Sequence, residues 1–332
     1  MAALSIGCTF SDRIEALLDG RVRIPGHMAD LHVVEPQRLF RAVLRDAAYD
    51  VAELSMASHI AAVAAGRRDY VGVPVFLSRS FRHANLYVRT DRGINRPEDL
   101  AGRTIGLIDW QQTAALWLRG ILADEHGVSR ESIRWVAAGL HTPVLDNRTS
   151  LSLPDSIHLE RSPATLDALL AEGAIDAIIS PGVPRCFLRQ TAPVARLWED
   201  PRAAEVAYWQ RTGIFPIMHV LVLRRTLAEA HPELIDAIYT AFDEARRLAA
   251  ADVMERDFPK LTLPWITTHA TLSRGALGGD PWTYGLDANR AVLTTMLRYA
   301  EADGLTSGNI GLPDLFDLPL LSTCNHRRDA GA

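Results

Sequence analysis

The chain has 332 residues, 48% apolar and 23% charged; that much apolar side chain buries enough surface to offset ordering entropy, which excludes intrinsic disorder. Its 35 basic and 40 acidic residues leave a formal charge of −5, against the basic face expected of a nucleic-acid binder. No apolar run approaches the ~18–20 residues of a membrane span, so neither nucleic acid nor membrane is expected as a partner.

Short strand-like and helical stretches alternate along the first ninety residues. Leu4-Ser5-Ile6-Gly7-Cys8 reads as a strand, followed by a helix opening at Ser11-Asp12, good capping residues. Leu31 to Val34 is a second strand, and Gln37 to Ala47 a helix with Leu39, Phe40, Val43 and Leu44 on one face. Val51 to Leu54 is a third strand, running into a helix that begins around Ser55 to Ser58. This alternation predicts a parallel sheet with right-handed crossovers.

A second series follows. Leu86-Tyr87-Val88 is a strand, Arg96 to Leu100 a turn and short helix, and Thr104 to Ile108 a strand. A helix from about Gln112 to His126 ends at Gly127. The strand Ile175 to Ile179 stops at Ser180-Pro181-Gly182, and Val220 to Leu223 is the next. From His231-Pro232 the pattern is mainly helical, to about Val253 and again from Asp287 to Ala302. No repeat or Gly/Ser linker divides the chain. It is expected to leave one α/β lobe, build a second and return, as lobes 1–88 plus 222–332 and 89–221, with a ligand cleft between them.

Cys8, Cys186 and Cys324 are odd in number and widely spaced, and no CxxC occurs. Neither a zinc knuckle nor a disulfide framework is indicated, and a reducing compartment is expected. The N-terminus shows no basic, apolar leader, so a cytoplasmic location is expected.

Several blocks carry a more specific signal. Pro74-Val75-Phe76-Leu77-Ser78-Arg79-Ser80-Phe81-Arg82-His83, then Tyr87-Val88 and Pro97-Glu98-Asp99-Leu100-Ala101-Gly102-Arg103-Thr104-Ile105-Gly106, resemble type II periplasmic-binding-protein folds. More narrowly they resemble the 4,5-dihydroxyphthalate decarboxylases. Gln111 to Gly120 (with Thr113, Trp117 and Arg119), Thr212-Gly213-Ile214-Phe215-Pro216-Ile217-Met218-His219, Asp280-Pro281-Trp282-Thr283-Tyr284-Gly285 with Asn289-Arg290, and Leu297-Arg298-Tyr299 agree with that family. The likeness runs from Leu4 to about Leu315. It departs at Thr283, at Gln112 and in the 138–150 and 180–185 segments.

The resemblance implies a two-lobed α/β enzyme that removes CO2 from a dihydroxylated aromatic dicarboxylate. A hydroxyl para to the leaving carboxylate pushes electrons into the ring, an acid protonates the ipso carbon, and CO2 departs as aromaticity returns. Such a site needs an acid and cations for the carboxylates. It should not clamp the carboxylate that leaves, whose charge vanishes in the transition state.

His83 and His219 are the acid candidates, because both sit in the two most specific blocks. His83, beside Arg82, is expected to donate the proton, with His219 as the alternative; each also suits an ordinary hydrogen-bonded structural role. Arg79 and Arg82 are expected to clamp carboxylate through guanidinium forks, the ordinary alternative being a salt bridge. Arg185 is a third cation. Ser55 and Ser58, and Gln111 and Thr113, open helices at strand ends, where free N–H groups meet anions or the side chains merely cap. Asp12 and Asp280 are phenol-facing candidates, although an Asp before Pro-Trp commonly forms a turn. Trp282, with Phe81 and Phe215, is a candidate to stack on the ring and keep water away, although such aromatics are more often core.

No HExxH, His-x-His, GxGxxG or P-loop pattern occurs. The expectation is therefore a cofactor-free, metal-free lyase acting on a small aromatic dicarboxylate, with homo-oligomerisation left open. Two other readings stand beside it: a solute-binding protein of an uptake system, and another enzyme of this scaffold resembling those of the menaquinone pathway. The fold itself supports all three.

Overall fold

The computed structural model describes residues 3–143, 153–308 and 310–317. Cys324 and most of the divergent 138–150 segment lie outside them. In chain order the strands are β1 (Leu4–Cys8), β2 (Ala29–Val33), β3 (Val51–Ser55), β4 (Tyr70–Arg79), β5 (Leu86–Arg89), β6 (Thr104–Leu107), β7 (Arg134–Ala137), β8 (Leu159–Arg161), β9 (Ala177–Ile179), β10 (Val194–Arg196) and β11 (Ile217–Arg224). They fall into two compact units.

The first unit comprises the described residues up to Arg79, Ile217–Thr294 and those from Ile310. Its sheet has the order β2-β1-β3-β11-β4. β1 runs parallel to β2 and β3, whereas β11 is antiparallel to both β3 and β4. Ile6, Val51, Leu54, Val71, Val73, Val75 and the run Val220-Leu221-Val222-Leu223 are buried, the continuous apolar composition of strands covered on both faces. Three helices follow the first three strands: α1 (Asp12–Leu18), α2 (Pro36–Asp46) and α3 (Met56–Ala64). In α2, Pro36 sits at the first helical position, and the Glu35 carboxylate accepts from the Arg38 N–H at 3.0 Å. Leu39, Phe40, Val43 and Leu44 are its buried stripe, the face read from the sequence.

The second unit comprises Ser80–Pro216 and Thr295–Asn309. Its sheet has the order β10-β5-β9-β6-β7-β8, with β5 antiparallel to β9 and β10 and the remaining pairs parallel. After β6 the helix α4 (Thr113–His126) closes on Gly127, whose φ of +64° is the left-handed conformation that glycine adopts without strain. Tyr87, Leu166, Leu170, Ile178 and Cys186 form part of its core.

The units therefore divide after Arg79 and Pro216, where the sequence pattern suggested 88 and 221, and residues 295–309 join the second unit. Strand partners explain the difference. β5 hydrogen-bonds only in the second sheet and β11 only in the first, so a division at 221 would cut the β11 ladder. That information is non-local.

Candidate active site

In the first sheet β1, β3 and β4 all point the same way, and β11 enters from the edge where they end. That carboxyl edge is where open α/β sheets bind ligands. On β11, His219 lies opposite Ser55 of β3 and Ser78 of β4, while Leu221 lies opposite Glu53. Glu53 and His219 are thus diagonal neighbours on one face, a spacing that long side chains span. The His219 Nδ1 lies 2.6 Å from Glu53 Oε1. The other carboxylate oxygen accepts from the Thr9 backbone N–H at 2.7 Å and from its hydroxyl at 2.5 Å. The Glu53 side chain is 1% exposed and that of His219 is 21% exposed. Phe40 packs edge-on against the imidazole, with ring centroids 4.9 Å apart. Burial pushes the Glu53 pKa up, but the His219 and Thr9 hydrogen bonds outweigh it and hold the carboxyl below its ordinary value.

Other anticipated residues of this unit are held by local partners. Ser55 caps α3, its hydroxyl accepting from the Ser58 N–H at 3.4 Å. The Ser58 hydroxyl is buried, with no hydrogen-bond partner among the described residues. Arg79, at the end of β4, donates to the Asn289 side-chain oxygen and, at 2.8 Å, to the Thr283 carbonyl. Burial lowers its guanidinium to about 10. Arg79 thereby ties β4 to the segment around Asn289. Asp12, exposed at the start of α1, pairs with Arg13 at 2.7 Å. Asp280 accepts from the Trp282 N–H at 2.9 Å, an Asx turn, and pairs with Arg246 at 2.5 Å. Trp282 donates its indole N–H to the Phe76 carbonyl and lies under the Arg13 guanidinium, 4.3 Å from the ring centroid. Asp12, Arg13, Arg246, Arg274, Asp280 and Trp282 are among the residues lining a pocket of about 250 Å³, which neither Glu53 nor His219 lines.

The second unit gathers its candidates at the edge where β6 and β9 end and β5 begins. Gln111 is buried before α4, and Thr113 is its first residue. The Ser180 N–H donates to the Asn85 carbonyl at 2.9 Å, while its buried hydroxyl has no partner among the described residues. Arg82 reaches the Asn85 side-chain oxygen at 3.2 Å. Burial lowers its guanidinium to about 10, opposed by Glu205. Burial in turn raises Glu205. Arg185 begins a short helix, Arg185–Leu188, and is exposed.

His83 is 3% exposed, against Trp198 and Tyr208 with centroids 4.9 and 5.5 Å away. Its Nδ1 has no partner among the described residues. Burial first, then His126 and Arg211, lowers its pKa from 6.5 to about 4. His59 is lowered to about 4 as well, chiefly by burial, with Nε2 3.0 Å from the Leu315 carbonyl. Both groups take up protons more readily unfolded than folded. Their contribution to stability is therefore intact above pH 6.5 and is lost as pH falls from there toward 4. Urea midpoints measured across this window are expected to fall with pH in the wild type and to fall less steeply in His83→Gln.

Comparison with known proteins identifies the group to which this arrangement belongs. Over 315 residues, 94% of this chain and 96% of the relative, it is 40% identical to the 4,5-dihydroxyphthalate decarboxylase of Comamonas testosteroni. The chain belongs to the 4,5-dihydroxyphthalate decarboxylase family. A second decarboxylase of that name, from Pseudomonas putida, is 38% identical over 63% of this chain and 81% of its own length. No protein-family model matches. Among solved structures, a periplasmic sulfonate-binding protein of Methylobacillus flagellatus superposes with a TM-score of 0.56 at 15% identity, covering 99% of this chain and 96% of its own. The alkanesulfonate-binding protein SsuA of Xanthomonas axonopodis pv. citri gives 0.51, also at 15%, covering 96% and 98%. These likenesses carry the fold, that of type II periplasmic binding proteins.

Within this decarboxylase family member, two of the resembling blocks contribute packing. Trp117 and Tyr299 meet edge-on at 5.6 Å, and a Cβ on Gly120 would sit 2.1 Å from the Tyr299 ring. Sequence reasoning missed Glu53 and Thr9. A lone carboxylate inside the apolar run Val51-Ala52-Glu53-Leu54 was the available signal, since an unpaired buried charge is costly. Among the described residues no three His, Cys, Asp or Glu side chains gather at metal-ligand spacing, and no helix is long and apolar enough to cross a membrane.

Proposed function

We propose that this protein decarboxylates 4,5-dihydroxyphthalate to 3,4-dihydroxybenzoate and CO2, without a cofactor. The observation that carries the reading is the 40% identity to a decarboxylase of that name across nearly both whole chains. The likeness to solute-binding proteins is far lower, at 15% identity. It supports a shared scaffold.

In this scheme the substrate enters with both carboxylates ionised and one phenol as phenolate. His219, protonated, gives the proton on Nε2 to the ipso carbon, forming a cyclohexadienone. The C–C bond electrons then return to the ring, CO2 leaves, and the phenolate reforms; His219 regains its proton from solvent. One proton is consumed and one CO2 released. His219 is preferred over His83 because its ring is partly exposed on the sheet's carboxyl edge, whereas burial keeps His83 neutral at pH 7. Arg82 and Arg185 are the second unit's candidate cations, guanidinium forks of the kind that hold a carboxylate. Arg79 holds the segment around Asn289, and on the first unit Ser55 and Ser58 stand at the strand end beside His219 as candidate hydrogen-bonding groups. We also place the reaction in a reducing cytoplasm, which the buried thiols of Cys8 and Cys186 fit.

The test is turnover of 4,5-dihydroxyphthalate by purified protein, before and after exhaustive chelation. The expected result is stoichiometric CO2 and 3,4-dihydroxybenzoate in both samples. Binding without turnover would overturn the reading in favour of a solute-binding protein. Loss on chelation that one divalent ion restores would overturn the metal-free route.

A further inference from the structure

The carboxylate of Glu53 has no evident purpose in the core. It sits in a strand whose five residues are all buried, where an ionised group is costly unless its lone pairs are satisfied. Here they are. One oxygen takes both the N–H and the hydroxyl of Thr9, and the other takes His219 Nδ1 at 2.6 Å. The carboxylate is thus anchored from the end of β1 before it meets the histidine on β11.

We propose that Glu53 is the positioning residue of His219, holding the ring by Nδ1 so that Nε2 is the atom that exchanges a proton with substrate. The proposal rests on the reading of His219 as the proton carrier and deepens it. An ionised carboxylate only accepts hydrogen bonds. Nδ1 must therefore carry a hydrogen in both the neutral and the protonated imidazole. The neutral ring then exposes Nε2 as a lone pair and the protonated ring exposes it as a donor, which is the alternation that a proton carrier needs. Orientation follows from the same contacts. Thr9 fixes the carboxylate, the carboxylate fixes Nδ1, and Phe40 against the ring restricts rotation about the bond that remains. Outer partners that fix a histidine's tautomer in this way typically matter about 10–100-fold when removed.

The experiment measures kcat and KM for 4,5-dihydroxyphthalate in Glu53→Gln, Glu53→Asp, Thr9→Val and His219→Asn. Alongside, the ring nitrogens of His219 are followed by NMR in histidine-labelled wild type and Glu53→Gln. Glu53→Gln is expected to lower kcat about 10–100-fold with KM changed less than about threefold. Its neutral His219 ring should no longer carry the proton uniformly on Nδ1. Glu53→Asp keeps the charge at a shorter reach and should recover part of the loss. Thr9→Val removes one of the three hydrogen bonds to the carboxylate and should cost about fivefold in kcat, which keeps the comparison available if Glu53→Gln fails to fold.

Wild-type kcat in Glu53→Gln, with His219→Asn inactive, overturns the role of Glu53 alone. An unchanged tautomer in Glu53→Gln does the same. Wild-type kcat in His219→Asn overturns the reading of His219 and this proposal with it.

Discussion

His219→Asn is expected to lower kcat for 4,5-dihydroxyphthalate by about 10²–10⁴, with KM little changed. Protonating the ipso carbon breaks aromaticity, so a positioned acid acts at the steepest part of the reaction. Asn keeps hydrogen-bonding capacity to Glu53 but supplies no proton. The substitution leaves every cation of the chain in place, which is why the loss should appear in kcat. His83→Asn is the comparison. The sequence reading favoured His83 as donor, yet its ring is buried against Trp198 and Tyr208 and held neutral down to about pH 4. A donor must carry its proton at the working pH. His83→Asn should therefore cost less in kcat than His219→Asn; the reverse ranking, read from steady-state kinetics, would return the role to His83.

Asp303→Ala is expected to destabilise the fold by about 3–5 kcal/mol, measured by urea denaturation. Asp303 is fully buried and binds two cations: Arg119 on one oxygen, and Arg130 on the other at 2.6 Å. Arg119 also donates to the Trp110 carbonyl at 2.7 Å and stacks on that indole, 3.8 Å from its centroid. The Trp110 indole N–H in turn donates to the Asp303 carbonyl at 2.9 Å. Removing the carboxylate strands two guanidinium charges away from water, which is where the cost arises. The same network holds residue 110, beside Gln111 and Thr113. A secondary loss of substrate affinity should accompany the loss of stability. A change below about 1 kcal/mol would show that water reaches the cluster.

Local pattern carried much of the fold. The apolar stripe of α2, the Gly127 stop of α4 and the strands β1, β3 and β6 are set by residues close in sequence, because helix period, strand composition and capping act over a few positions. β4 was not read as a strand, although it is ten residues long. Its Gly72 and Pro74 weaken the pattern, and its ladder is supplied by β11, distant in sequence. The unit boundaries failed for the same reason, since they depend on which sheet a strand joins.

The candidate site divides along the same line. Specific blocks of residues pointed to His83, His219, Arg79 and Arg82 and to the decarboxylase family. By itself the sequence determined the α/β class and the family, and it offered a short roster of candidate residues whose chemistry suits moving a proton or holding a carboxylate. Only the tertiary structure showed which partners within the chain they have: Arg79 with Asn289, Asp280 with Arg246, Asp12 with Arg13. It alone paired His219 with Glu53, which are separated by 166 residues. Chemistry at a single residue is legible in its type. Burial, tautomer and charge state arise from neighbours that strand pairing brings together, and no local window of sequence contains them.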